Sequence, residues 1–210
     1  MAIPLWVANT LRGHGGRFNV LTKLLIYLPN VTCSVALVIV WNFLFWPNLG
    51  LFSQMLARFG VVDFSFFDSA NISIPVISLL IVFSCMGQNV VIFCAAINAI
   101  PQTYYEAAQL DGAARFGQFR YITVPFLSPV ITYILVTNSI GALQIFVIPQ
   151  LMTGGGPNYT SSTLLMLIYN SAFGNNQFGY ASAIGVLLFI LSGVIALIQF
   201  RVARQEAIEY

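Results

Sequence analysis

The side chains with chemistry to offer are few. His14 is the only histidine, and it stands among Gly13, Gly15 and Gly16 with no carboxylate or thiol beside it. Cys33, Cys85 and Cys94 are odd in number and lie in apolar runs, so neither a disulfide framework nor a metal site follows. They read as small apolar filler. What remains is of two kinds. One is a charged, helix-forming stretch, Glu106-Ala107-Ala108-Gln109-Leu110-Asp111-Gly112, which runs on to Ile122 and Pro125. The other is a thin scatter of polar side chains in apolar sequence: Ser84, Gln88, Asn138 and Gln144, with Gly87 and Gly141 among them. Amides both donate and accept hydrogen bonds, as binding a hydroxyl-rich neutral solute requires. No catalytic residue and no metal ligand set emerges, so the chain is not expected to be an enzyme.

These residues must be positioned by membrane helices. Charged residues make up 7% of the 210 residues and hydrophobic ones 59%, against about a quarter charged in a soluble domain. The expected class is all-α integral membrane protein, a single transmembrane domain over 1–210 with the lipid bilayer as solvent. Four transmembrane helices are expected, at Leu24–Trp46, Ile74–Ile100, Ser128–Met152 and Tyr180–Phe200. Pro29 is placed to kink the first, and Trp41 and Trp46 suit an interfacial belt at its end. Leu51–Gly60 reads as a short interfacial helix with Phe52, Met55, Leu56 and Phe59 on one face. Thr153-Gly154-Gly155-Gly156-Pro157-Asn158 divides the last two spans. Thr163–Phe173 is apolar but too short to cross, so a re-entrant or interfacial segment is expected there.

Four spans put both termini on one side. Arg12, Arg17, Lys23, Arg115, Arg120, Arg201 and Arg204 fall there, and only Arg58 falls on the other. Positive residues favour the cytoplasm, so both termini and the 101–127 loop are expected to be cytoplasmic. No Asp, Glu, Lys, Arg or His lies inside any expected span. Ion-coupled pumps and intramembrane enzymes need such groups, so both classes are disfavoured. Energy for uphill movement would have to come from a partner. The formal net charge of +2, with no basic cluster, gives no ground for nucleic-acid binding.

Ser84, Gly87 and Gln88 share one helical face at i, i+3 and i+4, and Asn138, Gly141 and Ala142 repeat that spacing. Two readings stand: contact with a solute, or hydrogen bonding and close packing between helices. The central segment is similarly open. Pro101 suits a helix start, Glu106 and Asp111 flank an Ala-rich run, and Gly112 permits a sharp turn. A second short helix with Phe116 and Phe119 follows. This suits docking into a groove of a soluble partner, or simply an amphipathic connection.

Glu106-Ala107-Ala108, three residues, Gly112, nine residues, Ile122, one residue, then Val124-Pro125 resembles the EAA signature of ABC importer permease subunits. Val124 stands where leucine is usual. Leu151 to Pro157, Thr163 to Tyr169 and Phe178-Gly179-Tyr180-Ala181-Ser182-Ala183 narrow the resemblance to the carbohydrate-uptake type, the group of the first maltose permease and the glycerol-phosphate permease. So do Tyr27-Leu28-Pro29-Asn30 and Phe45-Trp46-Pro47-Asn48-Leu49-Gly50.

The resemblance implies a permease subunit of the bacterial cytoplasmic (inner) membrane that forms half of a path for a sugar or oligosaccharide. The implied partners are a second permease subunit, two ATPase subunits and an extracellular or periplasmic solute-binding protein. No cofactor is implied on this chain; ATP and Mg would sit on the partner ATPase. The 101–127 loop would be a coupling helix, with Glu106, Ala107, Ala108, Asp111, Gly112, Ile122 and Pro125 as ATPase-coupling residues. Ser84, Gln88, Asn138, Gly141 and Gln144 are the candidate substrate path. The family usually has about six spans, so two are expected ahead of Leu24, with residues 1–23 the tail of the second. Rival readings are an importer of another solute such as a phosphorylated polyol, a secondary transporter, and a non-transporting membrane scaffold.

Overall fold

A computed structural model describes residues 2–11, 17–47, 49–60 and 64–208. His14 and Arg12 lie outside the described residues, as do Asn48 and Asp63. Among the described residues the chain is helical with no strand. The helices are α1 (Ala2–Leu11), α2 (Arg17–Val31), α3 (Ser34–Leu44), α4 (Leu51–Arg58), α5 (Ala70–Asn98), α6 (Gln102–Leu110) and α7 (Arg115–Gln118), followed by α8 (Val124–Leu143), α9 (Val147–Thr153), α10 (Leu164–Tyr169) and α11 (Phe178–Ile208). Among the described residues three stretches are long and apolar enough to cross a membrane: Ala70–Asn98, Arg115–Thr153 and Phe178–Ala203. A fourth crossing exists if α2 and α3 together make one.

The first expected span is therefore not a single helix. α2 ends at Val31, Thr32 is a bend, and Cys33 leaves helical geometry at φ −55°, ψ 127°. Pro29 sits inside α2, and the break comes just after it. There Asn30, Val31, Thr32 and Cys33 are four weak helix formers in succession.

The third expected span also differs. α8 begins ahead of Ser128 and is continuous with α7 through a π-turn at Phe119–Thr123. Pro125 explains the π-turn: it has no N–H for the Tyr121 carbonyl and its ring would crowd that group. The helix widens instead, and Val124 donates to the Phe119 carbonyl five residues back. The second short helix expected after Gly112 is thus the first turn of the Arg115–Thr153 stretch. At the other end, residues 144–146 separate α8 from α9. Pro149 cannot donate to the Ile145 carbonyl, and the Thr163 hydroxyl takes that place at 2.8 Å.

α4 forms where a short interfacial helix was expected. Ser53 is its buried residue and donates to the Trp46 carbonyl at 2.9 Å, while Met55 and Phe59 are exposed. The Thr163–Phe173 segment is α10 plus a π-turn at Asn170–Gly174, too short to cross.

The chain divides into two compact units. One comprises Met1–Pro29, Cys85–Ile140 and Gly193–Tyr210; the other Asn30–Ser84 and Gly141–Ser192. The core of the first gathers Ala8 of α1, Val90, Phe93 and Ile97 of α5, Tyr105 of α6, and Leu127 and Ile134 of α8. Cys94 is buried there, whereas Cys33 and Cys85 are exposed. The core of the second gathers Val38 and Phe45 with Ile77, Leu80 and Met152. Phe45 is its aromatic hub, with ring centroids 4.8 Å from Phe52 and 4.9 Å from Phe66.

Candidate functional site

The Glu106 segment is built as a helix with a sealed end. α6 starts after Pro101 and stops at Asp111. Gly112 takes the left-handed conformation, φ +75°, that L side chains rarely adopt. Its N–H donates to the Gln109 carbonyl at 3.1 Å, and the Ala113 N–H donates to the Ala108 carbonyl at 2.9 Å. Those two bonds are the Schellman closure, which satisfies carbonyls that a helix end leaves free. The Asp111 N–H donates to the Ala107 carbonyl at 3.1 Å. The spacing of Ala107, Ala108, Asp111 and Gly112 is thus the spacing of one helix terminus and its cap. Gln118 then holds the turn from the far side, its side-chain amide 3.0 Å from the Ala113 carbonyl.

One face of this helix is anchored and the other is free. Tyr105 is 2% exposed, and its hydroxyl lies 2.9 Å from the Thr123 hydroxyl at the foot of α8, where Thr123 is also buried. Ile122 packs against the same core, and Pro125 is half-buried. Glu106, Ala107, Asp111 and Gly112 are exposed, and Ala108 is half-buried. Beside them Leu110 is 90% exposed and Phe116 is 76% exposed. The exposed side of this segment thus carries a carboxylate and large apolar side chains on a helix tied down from behind. Sequence reasoning missed Tyr105 and Thr123, which hold the surface in place.

The sparse span amides have different fates. Ser84 donates to the Leu80 carbonyl of its own helix at 2.8 Å. Gly87 is buried, and a methyl group there would lie 2.5 Å from the Ile26 carbonyl of α2. Gly87 is therefore a point of backbone contact between α5 and α2. Gln88 is exposed and Asn138 half-buried, and neither side chain makes a hydrogen bond among the described residues. Gly141 faces open space, and Gln144 is exposed just past the end of α8. No hydrogen bond joins these residues into one cluster. Asn98, at the end of α5, is exposed. A polar contact the sequence did not reveal joins Gln199 of α11 to Ser139 of α8 at 2.8 Å. Among the described residues no three His, Cys, Asp or Glu side chains gather to hold a metal.

The sequence matches the family of binding-protein-dependent transport system inner membrane components over residues 1–206. The chain belongs to that family. This inner-membrane component is 34% identical over 168 residues to the sulfoquinovosyl glycerol transport system permease protein SmoG of Agrobacterium fabrum, covering 80% of this chain and 54% of that one. It is 32% identical over 214 residues to the diacetylchitobiose uptake system permease protein NgcF of Streptomyces coelicolor, covering 97% of this chain and 61% of that one. The chain thus spans less than two thirds of the length of these relatives. It superposes with a TM-score of 0.88, at 22% identity, on a chain of the bacterial alginate ABC transporter in complex with alginate pentasaccharide-bound periplasmic protein, covering 97% of this chain and 72% of that one. That likeness establishes the permease fold, all-α and multi-pass.

Proposed function

We propose that this chain is a permease subunit of a bacterial ATP-driven importer, forming half of a path for a sugar or oligosaccharide. The observation that carries the reading is the surface at α6: Glu106 exposed, with Leu110 and Phe116 exposed further along the same segment, on a helix capped at Gly112 and anchored through Tyr105. A partner that pulls on α6 pulls on the foot of α8, because the Tyr105–Thr123 bond joins them. ATP binding closes two ATPase subunits on the partner side, each carrying its own ATP and Mg. α6 follows the subunit it docks into, and the displacement enters the span. Glu106 pairs with a basic group of that subunit while Leu110 and Phe116 fill its apolar cleft.

The bias of Lys and Arg supports a cytoplasmic position for α6 and both termini of the chain. A second permease subunit completes the path, and an extracellular solute-binding protein delivers the solute. The relatives' names, sulfoquinovosyl glycerol and diacetylchitobiose, are those of glycosides. The spanning stretches carry charge only near their ends, at Arg115, Arg120 and Arg201, which favours a neutral carbohydrate over a phosphorylated polyol. Gln88 and Asn138, unpartnered on α5 and α8, are the amides assigned to the solute; Ser84 and Gly87 are assigned to packing.

The test is Glu106→Ala in the assembled complex. Uptake is expected to fall at least tenfold and the ATPase subunits to co-purify in reduced amount, with helical content unchanged. Full uptake with intact assembly would show that coupling lies elsewhere.

A further inference from the structure

Residues 169–180 hold a dense mixture of exposed rings and exposed amides. Tyr169, Phe173, Phe178 and Tyr180 are exposed, and Asn170, Asn175, Asn176 and Gln177 are exposed between them. The rings form a chain that starts at Phe146. Centroids are 5.0 Å apart from Phe146 to Tyr169, 5.3 Å from Tyr169 to Phe173 and 6.1 Å from Phe173 to Phe178. The backbone fixes this row. Asn175 N–H donates to the Asn170 carbonyl at 3.0 Å, closing the π-turn, and Gln177 N–H donates to the Ser171 carbonyl at 2.8 Å. Ser171 and Ala172 are the buried residues of the turn. Asn176 sits at φ +56°, a conformation asparagine tolerates.

Two facts restrict what covers this strip. The four side-chain amides make no hydrogen bond among the described residues. Placing them against acyl chains would cost ~2–7 kcal/mol each. Water alone would satisfy the amides but leave a continuous apolar row wet. A sugar ring answers both, with C–H faces for the aromatic rings and hydroxyls that both donate to and accept from amides.

We propose that the Tyr169–Phe173–Phe178 row, with Asn170, Asn175 and Gln177 along it, is a saccharide-contact strip for successive rings of an oligosaccharide. It rests on the carbohydrate-permease reading and adds a site to it, distinct from Gln88 and Asn138.

The experiment is saturation-transfer NMR on the chain in lipid nanodiscs with the subunits that co-purify. Aromatic protons are irradiated, and maltotetraose, chitotetraose and arabinotetraose are offered in turn. Transfer to ring protons of at least one tetrasaccharide is expected. The double variant Phe173→Leu with Phe178→Leu, which keeps apolar volume, should lower it at least fivefold. Asn175→Ala with Gln177→Ala, which removes no core contact, should lower it at least threefold. Glu106→Ala is read in uptake and assembly alone and the strip variants in saturation transfer, so a failure of coupling and a failure of the strip are read separately. The proposal is overturned if no tetrasaccharide receives saturation, or if the variants keep it. Transfer only to phospholipid headgroup protons would make the row an interfacial belt. A loss confined to binding-protein-stimulated ATP turnover would make it a polypeptide contact.

Discussion

The hydroxyls of Tyr105 and Thr123 meet at 2.9 Å with both residues buried, and this bond fastens α6 to the foot of α8. Removing one partner leaves the other's polar group buried and unmet, at a cost of about 1–3 kcal/mol. Tyr105→Phe should therefore lower the thermal midpoint of the detergent-solubilised chain. Adding Thr123→Val, which removes the orphaned hydroxyl at nearly constant shape, should recover most of the loss. A single variant as stable as the parent, or a double variant that is simply additive, would show that the contact holds nothing.

Gly112 tests conformation without sterics. Nothing lies within 4 Å of where a side chain would begin, yet φ is +75°. Gly112→Ala should cost about 1–2 kcal/mol from the left-handed conformation alone. Gly112→Asn should cost less, because asparagine tolerates that region, and Gly112→Val should cost more. Amide hydrogen exchange at Ala113 is the direct readout, since its bond to Ala108 closes the cap. Equal exchange in all three variants would place the helix stop elsewhere.

How far these features were legible follows from what each depends on. The spans of α5 and α11 and the turn at Gly112 rest on local composition, and the sequence alone locates them. The Ala107, Ala108 and Gly112 spacing is visible as a pattern, and the Schellman bonds give its physical reason. The break at Thr32–Cys33 was blurred because Pro29 drew the expected kink into α2. The α8–α9 break was hidden because its cause is distant: Pro149 frees a carbonyl that Thr163 captures. Tyr105 and Thr123 are eighteen positions apart, and only the fold brings them together. The Gly87 contact with α2 has the same origin. The buried side of α4 was not legible either, because Ser53 is held by the Trp46 carbonyl seven positions away.

Thr163 serves two elements at once. Its hydroxyl donates to the Ile145 carbonyl at 2.8 Å and accepts from the Met166 N–H at 3.3 Å, capping α10. Thr163→Val keeps the shape and removes both bonds. The lost cap alone is worth about 0.5–2 kcal/mol. Thr163→Ser keeps both and should stay close to the parent. The prediction is checked by the ordering of midpoints in thermal unfolding, with valine clearly below serine. If valine and serine are equal, the Ile145 carbonyl finds another partner and the account of the break is wrong.

Ser84 and Gln88 lie one turn apart on α5 and should separate in function. The Ser84 hydroxyl is engaged by the Leu80 carbonyl of its own helix, while the Gln88 amide is exposed and unpartnered. Under the permease reading, Ser84→Ala should leave uptake within about twofold of the parent, because it removes a bond the solute never makes. Gln88→Ala removes a donor and an acceptor offered to the solute, and one lost hydrogen bond of about 0.5–1.5 kcal/mol corresponds to roughly a two- to tenfold rise in KM. The measurement is the concentration dependence of uptake in vesicles, with the amount of assembled complex fixed by immunoblot. Gln88→Glu sharpens it: a fixed negative charge in a charge-free span should depress uptake of a neutral sugar further than alanine does. If Ser84→Ala is the damaging change and both Gln88 variants are silent, the solute passes on another face of α5, and Gln88 belongs to packing against lipid or the sister subunit.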